Sequence, residues 1–351
     1  MILRVESSKK SNPGTLDAIS RLDMASLLVD IGFEDVDPSS EQQLLFCVFH
    51  SNTATPSFSV NISKKVFHCF SAACGVKGNG VMLYALWKNI SYEQAIQEIQ
   101  YLPKRRDIES LQQILLRSKE QAMPVLERLQ ILTDFVGALP LITGTPYAAK
   151  LYARGLTKET LDRFGIRFYQ EEYVKHLNAE KLFRAGISNV WRRPVFSAHP
   201  IIIPYYLGPS VAFIQGRQYD DDPLKSKYLG VRGNIPALWN HSALQVKPKQ
   251  AFIAEGALDA MSLEQLGFSP ALGIVGVDNF RADWAEDFKG VETVWVATDL
   301  DLAGEACFGK LYGLLGPAEC QINRYYFPSE YLGHKIKDIN DLLRLGWKPG
   351  A

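Results

Sequence analysis

The pattern of hydrophobic and polar positions changes several times along the chain. Leu16–Ile31 has apolar residues at helical spacing, which predicts one short helix. Short alternating runs between residues 44 and 80 predict a small β module. Val81–Leu102 returns to the helical pattern, and Ser91 followed by Gln94 indicates a capping box that begins a further helix. The N-terminal part therefore combines short helices with a small sheet.

The middle and the end of the chain predict two further kinds of structure. Residues 104–145 are helical and charged and end in turn formers, which indicates a connector. Residues 146–249 begin with two short helices and continue with paired apolar strands around the turn LGPS. From residue 250 onward the apolar runs AFIA, ALGIVGV and TVWVAT alternate with helical patterns, which predicts a mainly parallel sheet. The predicted fold class is α+β and multidomain.

Charge divides the chain in the same way, although 38 Lys+Arg balance 38 Asp+Glu overall. Residues 1–105 are neutral, residues 106–250 carry a net charge of +7, and residues 251–351 carry −7. A basic middle suits a polyanion and an acidic end suits cations. No apolar run approaches the roughly 20 residues that cross a bilayer, and the polar opening does not match a secretory signal. We therefore expect a cytoplasmic protein that does not enter a membrane.

Three of the five cysteines cluster with a histidine. Cys47 and His50 form one pair, and Cys69 and Cys74 follow after a stretch long enough for a β-hairpin. Sulfur and imidazole donors suit tetrahedral zinc, and four protein ligands indicate a structural site. Buried cysteines beside a core histidine are the alternative interpretation. His68 is a second candidate for the histidine ligand, but its side chain is expected on the opposite face of the strand.

The run CVFHSNTATPSFSVNISKKVFHCFSAACGVKGN, which contains these ligands, resembles the CHC2 zinc-binding domain of DnaG-type DNA primases. The C-x-x-H start, the TPSF segment and the HCF strand all match. That family usually closes its site with C-x-x-C, whereas four residues separate Cys69 from Cys74 here. The resemblance implies one structural zinc ion in a zinc-ribbon β module.

Acidic residues follow two of the predicted parallel strands. Glu255 follows AFIA, and Asp299 and Asp301 follow TVWVAT. The carboxyl ends of parallel strands open at the same edge of a sheet, so three carboxylates are expected to converge there. Such crowding favours a divalent cation, and hard carboxylate oxygens select Mg²⁺ or Mn²⁺. Each acid taken alone is equally consistent with a loop residue or a helix cap.

The segments AEGALDAMSLEQLG and ATDLDLAGEA resemble the Toprim domain, with its glutamate after one strand and its D-x-D after a later one. The segment KDINDLL resembles a further acidic motif of primase Toprim domains. There Asp338 matches, and Asn340 stands where a second acid is common, which leaves open whether Asn340 or Asp341 contributes to a further metal site. The resemblance implies that Asp259 and Asp338 contribute at the margin of the magnesium site.

Segments of the basic middle resemble the subdomain that precedes Toprim in the same primases. The resemblance implies that basic residues there bind nucleotide and template through their phosphates. The residues with this predicted role are Arg154, Arg217, Lys225 and Lys227. Arg232 is a stand-in for a further family lysine. Solvated surface charges are the alternative for each of these residues.

The resemblances follow one another in family order, so we expect a DNA primase that makes short RNA primers on single-stranded DNA from ribonucleoside triphosphates. The expected domains are a zinc-binding domain (1–103), a helical connector (104–145), a basic subdomain of the catalytic core (146–249) and a Toprim domain (250–351). Two alternatives remain: a Toprim-type nuclease, and a non-catalytic DNA-binding replication or recombination factor.

Because the sequence ends soon after the segments that resemble Toprim, we expect that the helicase-binding domain common in cellular primases is absent. This favours a compact primase of a phage, plasmid or other mobile element that acts at the nucleoid. A replicative helicase or another replication protein is a possible partner.

Overall fold

The computed structural model describes residues 13–33, 35–50, 56–71, 74–102, 111–112, 123–222, 226–233 and 237–349. This part of the chain forms two compact units. The first unit contains the residues up to Met123 together with Ser188–Arg193 and Ser226, and the second unit contains the rest. In the ranges given above, no helix combines the length and the apolar character that a membrane crossing requires.

The first unit contains a small sheet, which two helices precede and two helices follow along the chain. Its elements are α1 (Pro13–Arg21), α2 (Met24–Ile31), β1 (Gln42–Leu45), β2 (Phe58–Asn61), β3 (Val66–Cys69), β4 (Lys77–Asn79), α3 (Gly80–Lys88) and α4 (Tyr92–Ile99). The prediction of one helix over Leu16–Ile31 is wrong, because α1 ends at Arg21 and a separate helix, α2, begins at Met24. Asp23 has an extended backbone and precedes α2, while Leu22 beside it is buried. Leu22 therefore continues the apolar pattern without continuing the helix.

The sheet of the first unit is antiparallel in the order β1-β2-β3-β4. Phe58 lies at its centre, with the rings of Phe33 and Phe67 centred 4.7 Å and 5.2 Å away. The predicted capping box is confirmed, since Ser91 accepts from the Gln94 backbone while the Gln94 side chain accepts from the Ser91 backbone. Aromatic packing behind the sheet and capped helices beside it hold the segment that carries the cysteines.

The first half of the second unit is a mixed α/β region. Its elements are α5 (Val125–Ala138), α6 (Ala149–Tyr152), α7 (Lys158–Arg163), β5 (Arg167–Phe168), α8 (Glu171–Val174), α9 (Ala179–Arg184), β6 (Ile201–Leu207), β7 (Ser210–Arg217) and β8 (Tyr228–Gly230). The four strands form an antiparallel sheet in sequence order. Helix α5 packs on β7, where Thr133 Oγ1 accepts from the Val211 backbone at 2.9 Å.

The second half of this unit is an α/β domain. Its elements are β9 (Gln250–Ala254), α10 (Ala257–Gln265), β10 (Ala271–Gly273), β11 (Thr293–Ala297), α11 (Leu302–Leu315), β12 (Gln321–Arg324), β13 (Glu330–Tyr331), β14 (His334–Lys335) and α12 (Ile339–Arg344). Strands β10-β9-β11-β12 form a parallel sheet in that order. The predicted combination of a β module, a mixed α/β region and a parallel α/β domain is confirmed.

The register of the parallel sheet determines what reaches its edge. Ala254 and Ala297 are paired at the ends of β9 and β11. Glu255, directly after β9, and Asp299, two residues after β11, therefore stand at the same edge of the sheet. Buried apolar side chains from both strands and from α11 form the core below it. Gly273 allows α10 to approach closely, since a Cβ there would lie 2.8 Å from the Ala257 backbone.

Candidate metal and nucleic-acid site

The four predicted zinc ligands lie together in the first unit. One ligand atom from each of Cys47, His50, Cys69 and Cys74 lies within 4.8 Å of all the others. Cys47 Sγ is 3.9 Å from Cys74 Sγ, and His50 Nε2 is 3.2 Å from Cys69 Sγ. Two sulfurs bound tetrahedrally to one zinc ion at about 2.3 Å are separated by about 3.7 Å. The donor set and its spacing therefore fit one structural zinc ion.

Local backbone hydrogen bonds explain how Cys74 reaches the site although four residues separate it from Cys69. The Cys74 and Gly75 backbone groups both donate to the Ser71 carbonyl, at 3.0 Å and 2.9 Å. Gly75 has a φ of 59°, a left-handed conformation that glycine adopts without strain. The Cys69 backbone donates to the Val76 carbonyl at 2.8 Å and closes the turn. A compact turn thus returns the fourth sulfur to the site.

The environment of the thiols also favours a cation. Burial raises the pKa of Cys47, whereas hydrogen bonds from Cys47 and Cys74 lower the pKa of Cys69. One thiolate is thus stabilised by its neighbours, and further ionisation in this buried space requires a positive charge. His68 is not part of the cluster, since its ring packs against Phe70 with centroids 4.4 Å apart.

The acidic residues meet at the carboxyl edge of the parallel sheet in the second unit. Glu255 Oε1 accepts a hydrogen bond of 3.1 Å from the Asp299 backbone, so this carboxylate faces the end of the neighbouring strand. Asp301 is the N-cap residue of α11, and its Oδ1 accepts from the Gly304 backbone at 2.9 Å. Only glycine fits at 304, because a Cβ there would lie 2.0 Å from the Asp299 carbonyl oxygen.

Burial and mutual repulsion change the protonation of these acids. Burial is the main cause of the raised pKa of Glu255, and the Asp299 and Asp301 carboxylates raise it further. Burial and Asp338 similarly raise the pKa of Asp299. Asp259 is the most strongly affected, since burial and the Asp338 carboxylate raise its pKa to about 7. Each of the five predicted acids therefore interacts electrostatically with at least one of the others.

A lysine that the sequence analysis did not single out neutralises part of this charge. Lys337 Nζ lies 3.4 Å from Asp299 Oδ2 and 4.0 Å from Asp301 Oδ2. The two carboxylates raise the pKa of Lys337. In the sequence, the only indication that Lys337 belongs to the site is its position directly before Asp338, in the segment KDINDLL. Pairing with residues so distant in sequence is not visible from that position.

The acids are arranged more openly than the zinc ligands. Within the described ranges, they do not form a group of three ligand atoms as compact as the cysteine and histidine cluster. An open set of carboxylates suits Mg²⁺, which keeps several waters and binds through one or two carboxylates together with phosphates. The hard oxygen donors and the excess negative charge fit this ion.

A buried arginine fixes the loop that carries the D-x-D pair. Arg324, at the end of β12, donates from Nη2 to the Asp299 carbonyl at 2.8 Å. It also pairs with Glu305 at 2.5 Å, and only 3% of its side chain is exposed. The role of Arg324 was not predicted, because a lone arginine at a strand end belongs to no sequence motif.

The basic side chains of the second unit lie within electrostatic range of the acids. Burial, followed by the neighbouring Arg217 and Arg154, lowers the pKa of Lys227, while Asp259 and Asp338 act in the opposite direction. Arg217 donates to the Tyr228 hydroxyl at 2.6 Å. The Nε atoms of Arg154 and Arg217 are buried and have no hydrogen-bond partner within the described part of the chain. Donors without partners beside an acidic edge are suited to phosphate oxygens.

Two further basic residues were predicted to bind phosphates. Lys225 lies outside the described residues. Arg232 packs over the Phe183 ring, with its guanidinium carbon 4.9 Å from the ring centroid. Its backbone also donates to the Gly186 carbonyl at 3.1 Å, in a turn where a Cβ on Gly186 would collide with residue 232.

Comparisons with known proteins match both parts of this arrangement. Residues 20–112 match the model of the CHC2 zinc finger. Residues 252–343 match the model of the Toprim-like family. A DNA primase of Haemophilus influenzae is 27% identical over 289 residues, which cover 74% of this chain and 46% of that protein. The resemblance to DnaG-type primases is confirmed.

Two further primases extend the match over nearly the whole chain. A DNA primase of Lactococcus lactis is 22% identical over 361 residues, covering 94% of this chain and 55% of that protein. The crystal structure of the zinc-binding and RNA polymerase domains of Aquifex aeolicus primase covers 95% of this chain and 83% of its own, at 20% identity and a TM-score of 0.51. This structural likeness concerns the fold. The chain spans about half the length of the curated primases it matches.

Proposed function

We propose that this chain is a DNA primase that synthesises short RNA primers on a single-stranded DNA template. The observation that carries the proposal is the acidic edge of the parallel sheet, where Glu255 faces Asp299 and basic side chains lie nearby. The reaction would be attack of a primer 3′-hydroxyl on the α-phosphate of a ribonucleoside triphosphate, with pyrophosphate leaving. Relatedness to DNA primases over most of the chain supports this choice.

In this proposal the acids at the sheet edge bind the metal. Glu255, Asp299 and Asp301 would hold Mg²⁺ or Mn²⁺, with Asp259 and Asp338 at the margin. When bound, the ion would stabilise the negative charge on the attacking and leaving oxygens. Arg324 would keep the D-x-D loop in place through the Asp299 carbonyl.

The basic side chains would bind the polyanionic substrates. Arg154, Arg217 and Lys227 would hold the triphosphate and the template phosphates, and we assign Lys225 the same role from its sequence alone. The unpartnered Nε atoms of Arg154 and Arg217 support this role, because a phosphate would supply the acceptors that they lack. Tyr228 would orient Arg217 through their hydrogen bond.

The zinc module would contact the template and help to choose the start site. Phe70 is 65% exposed and lies beside His68, which offers aromatic surface for stacking bases. Cys47, His50, Cys69 and Cys74 would hold the zinc ion that maintains this surface. We keep the expected domains 1–103, 104–145, 146–249 and 250–351 as part of the proposal.

The site of action follows from the template. Single-stranded DNA is exposed where a helicase opens the duplex, so we propose a replication site at the nucleoid and a replicative helicase as the partner. The helicase would take no part in catalysis, which the second unit of this chain would perform.

A direct assay compares primer synthesis with strand cleavage. Purified protein is incubated with single-stranded DNA of varied sequence, Mg²⁺ or Mn²⁺ and radiolabelled ribonucleotides, and a supercoiled plasmid is included in a parallel nicking assay. We expect template-dependent RNA of short length and no nicking. Nicking without RNA synthesis would support a Toprim nuclease, and DNA binding without either activity would support a non-catalytic factor.

A further inference from the structure

Asn340, at the position where DnaG-type primases commonly carry a second acid, does not face the metal site. Only 4% of its surface is exposed. Its Nδ2 donates to the Arg154 carbonyl at 2.8 Å and to Ser262 Oγ at 3.0 Å. Arg154 and Asn340 are 186 residues apart in sequence, so this contact connects α12 to the basic region.

The hydrogen-bond chemistry at this position requires an amide. The Arg154 carbonyl only accepts, and Ser262 gives its hydroxyl hydrogen to the Leu258 carbonyl at 2.9 Å. Both partners of Asn340 therefore need an N–H donor. An ionised aspartate has no donor and would place a negative charge against two buried acceptors. The amide of Asn340 thus suits its two neighbours, whereas an acid at this position would not.

A second amide fixes the adjoining residues of the same turn. Gln265 Nε2 donates to the Gly155 carbonyl at 2.7 Å, while its Oε1 accepts from the Thr157 backbone at 2.9 Å. Gly155 has a φ of +83°, and a Cβ there would lie 3.2 Å from the Arg344 backbone on α12. The turn that carries Arg154 is therefore held from α10 and from α12 together.

We propose that Asn340 is a positioning residue for Arg154 and is not a metal ligand. The inference rests on the proposed function, in which Arg154 binds nucleotide or template. Asn340 fixes the backbone of Arg154 through the Arg154 carbonyl, so the Arg154 side chain extends toward its ligand from a fixed position. The open acidic set then consists of Glu255, Asp299, Asp301, Asp259 and Asp338 without a contribution from residue 340.

The test compares two Asn→Asp variants of opposite chemistry. In Asn340→Asp the donor is lost, whereas in Asn178→Asp the side chain keeps its role as an acceptor from the Lys181 backbone at the start of α9. Steady-state primer synthesis and Mn²⁺ binding by electron paramagnetic resonance are measured on both variants, on Arg154→Ala and on Arg154→Ala/Asn340→Asp.

We expect Asn340→Asp to raise the same KM that Arg154→Ala raises, by about fivefold to a hundredfold, with a smaller change in kcat. We expect the double variant to resemble Arg154→Ala, Mn²⁺ affinity to stay unchanged in Asn340→Asp, and Asn178→Asp to match the wild type. If Asn340→Asp does not fold, Asn340→Ala is measured in the same way.

Three results would overturn the inference while primer synthesis by the wild type remains: a normal KM in a folded Asn340 variant, tighter or additional Mn²⁺ binding in Asn340→Asp, or losses that multiply in the double variant. A wild-type protein that neither binds single-stranded DNA nor incorporates ribonucleotides would instead overturn the proposed function, and the inference with it.

Discussion

The zinc cluster and the acidic edge are two proposed cation sites with opposite designs. The zinc ligands come from one short stretch of the first unit and lie within 4.8 Å of one another. The acids come from three distant segments of the second unit, and Lys337 offsets part of their charge. A closed soft-donor site maintains a fold, whereas an open carboxylate site leaves coordination positions for substrate. The two sites should therefore respond differently to loss of a ligand.

We expect the greatest loss of primer synthesis when an acidic ligand is removed from the open carboxylate site. Asp301→Ala removes a proposed metal ligand, so we expect primer synthesis to fall by at least about a thousandfold. Zinc content should stay at one ion per chain, measured by atomic absorption. Because Asp301 also caps α11, Asp301→Asn serves as the variant that keeps the cap. Substantial synthesis by both variants would argue against the assignment.

Loss of a closed-site ligand should affect structure first. Cys69→Ser leaves three strong ligands at a site whose binding energy stabilises its module, so we expect loss of zinc and of template-dependent initiation. Mn²⁺ binding in the second unit should persist. Cys320→Ser is the matched control, because Cys320 lies outside the cluster. Full zinc content in Cys69→Ser would contradict the ligand assignment, as would loss of zinc in His68→Ala.

Lys337 provides a milder test of the open site. The Lys337 ammonium competes with a divalent cation for Asp299 and Asp301 and must move away when the cation binds. Lys337→Met should therefore bind Mn²⁺ more tightly. We expect about a twofold to fivefold gain, since 64% of the side chain is exposed and the ion pairs are screened. Lys335→Met, an exposed change on β14, should leave the affinity unchanged. Weaker Mn²⁺ binding in Lys337→Met would show that the lysine supports the metal.

The smallest effect concerns pH. Folding raises the pKa of Asp259 to about 7 from a reference value of 3.8, so the folded protein holds a proton that the unfolded chain releases. The resulting loss of stability is complete above about pH 7 and is relieved as pH falls toward 4. We expect the Tm of the zinc-loaded protein, without added Mg²⁺, to rise by a few degrees from about pH 7.5 to 5.5. An identical slope in Asp259→Asn would exclude this source.

The sequence was informative where the signal is local. Strands β9 and β11 were predicted because apolar runs mark buried parallel strands, and the acids at their ends follow from the topology of such a sheet. The cysteines and His50 were recognised from spacing. The break before Asp23 was missed because the buried Leu22 keeps the helical pattern.

Long-range partners were not predictable in the same way. Lys337, Arg324 and Asn340 take their roles from residues far away in the chain, at Asp299 and Arg154. No spacing rule connects such positions. The sequence therefore predicted candidate residues for the chemistry, and the structure added the residues that hold these candidates in place.

In our proposal Glu255, Asp299 and Asp301 together bind one divalent cation, separate from the zinc. The most direct test of this proposal is a titration of zinc-loaded protein with Mn²⁺, followed by electron paramagnetic resonance, on the wild type and on Glu255→Gln. We predict a bound Mn²⁺ in the wild type and at least about tenfold weaker binding in Glu255→Gln, with zinc content unchanged. Equal Mn²⁺ binding by both proteins, or none by the wild type, would contradict the account.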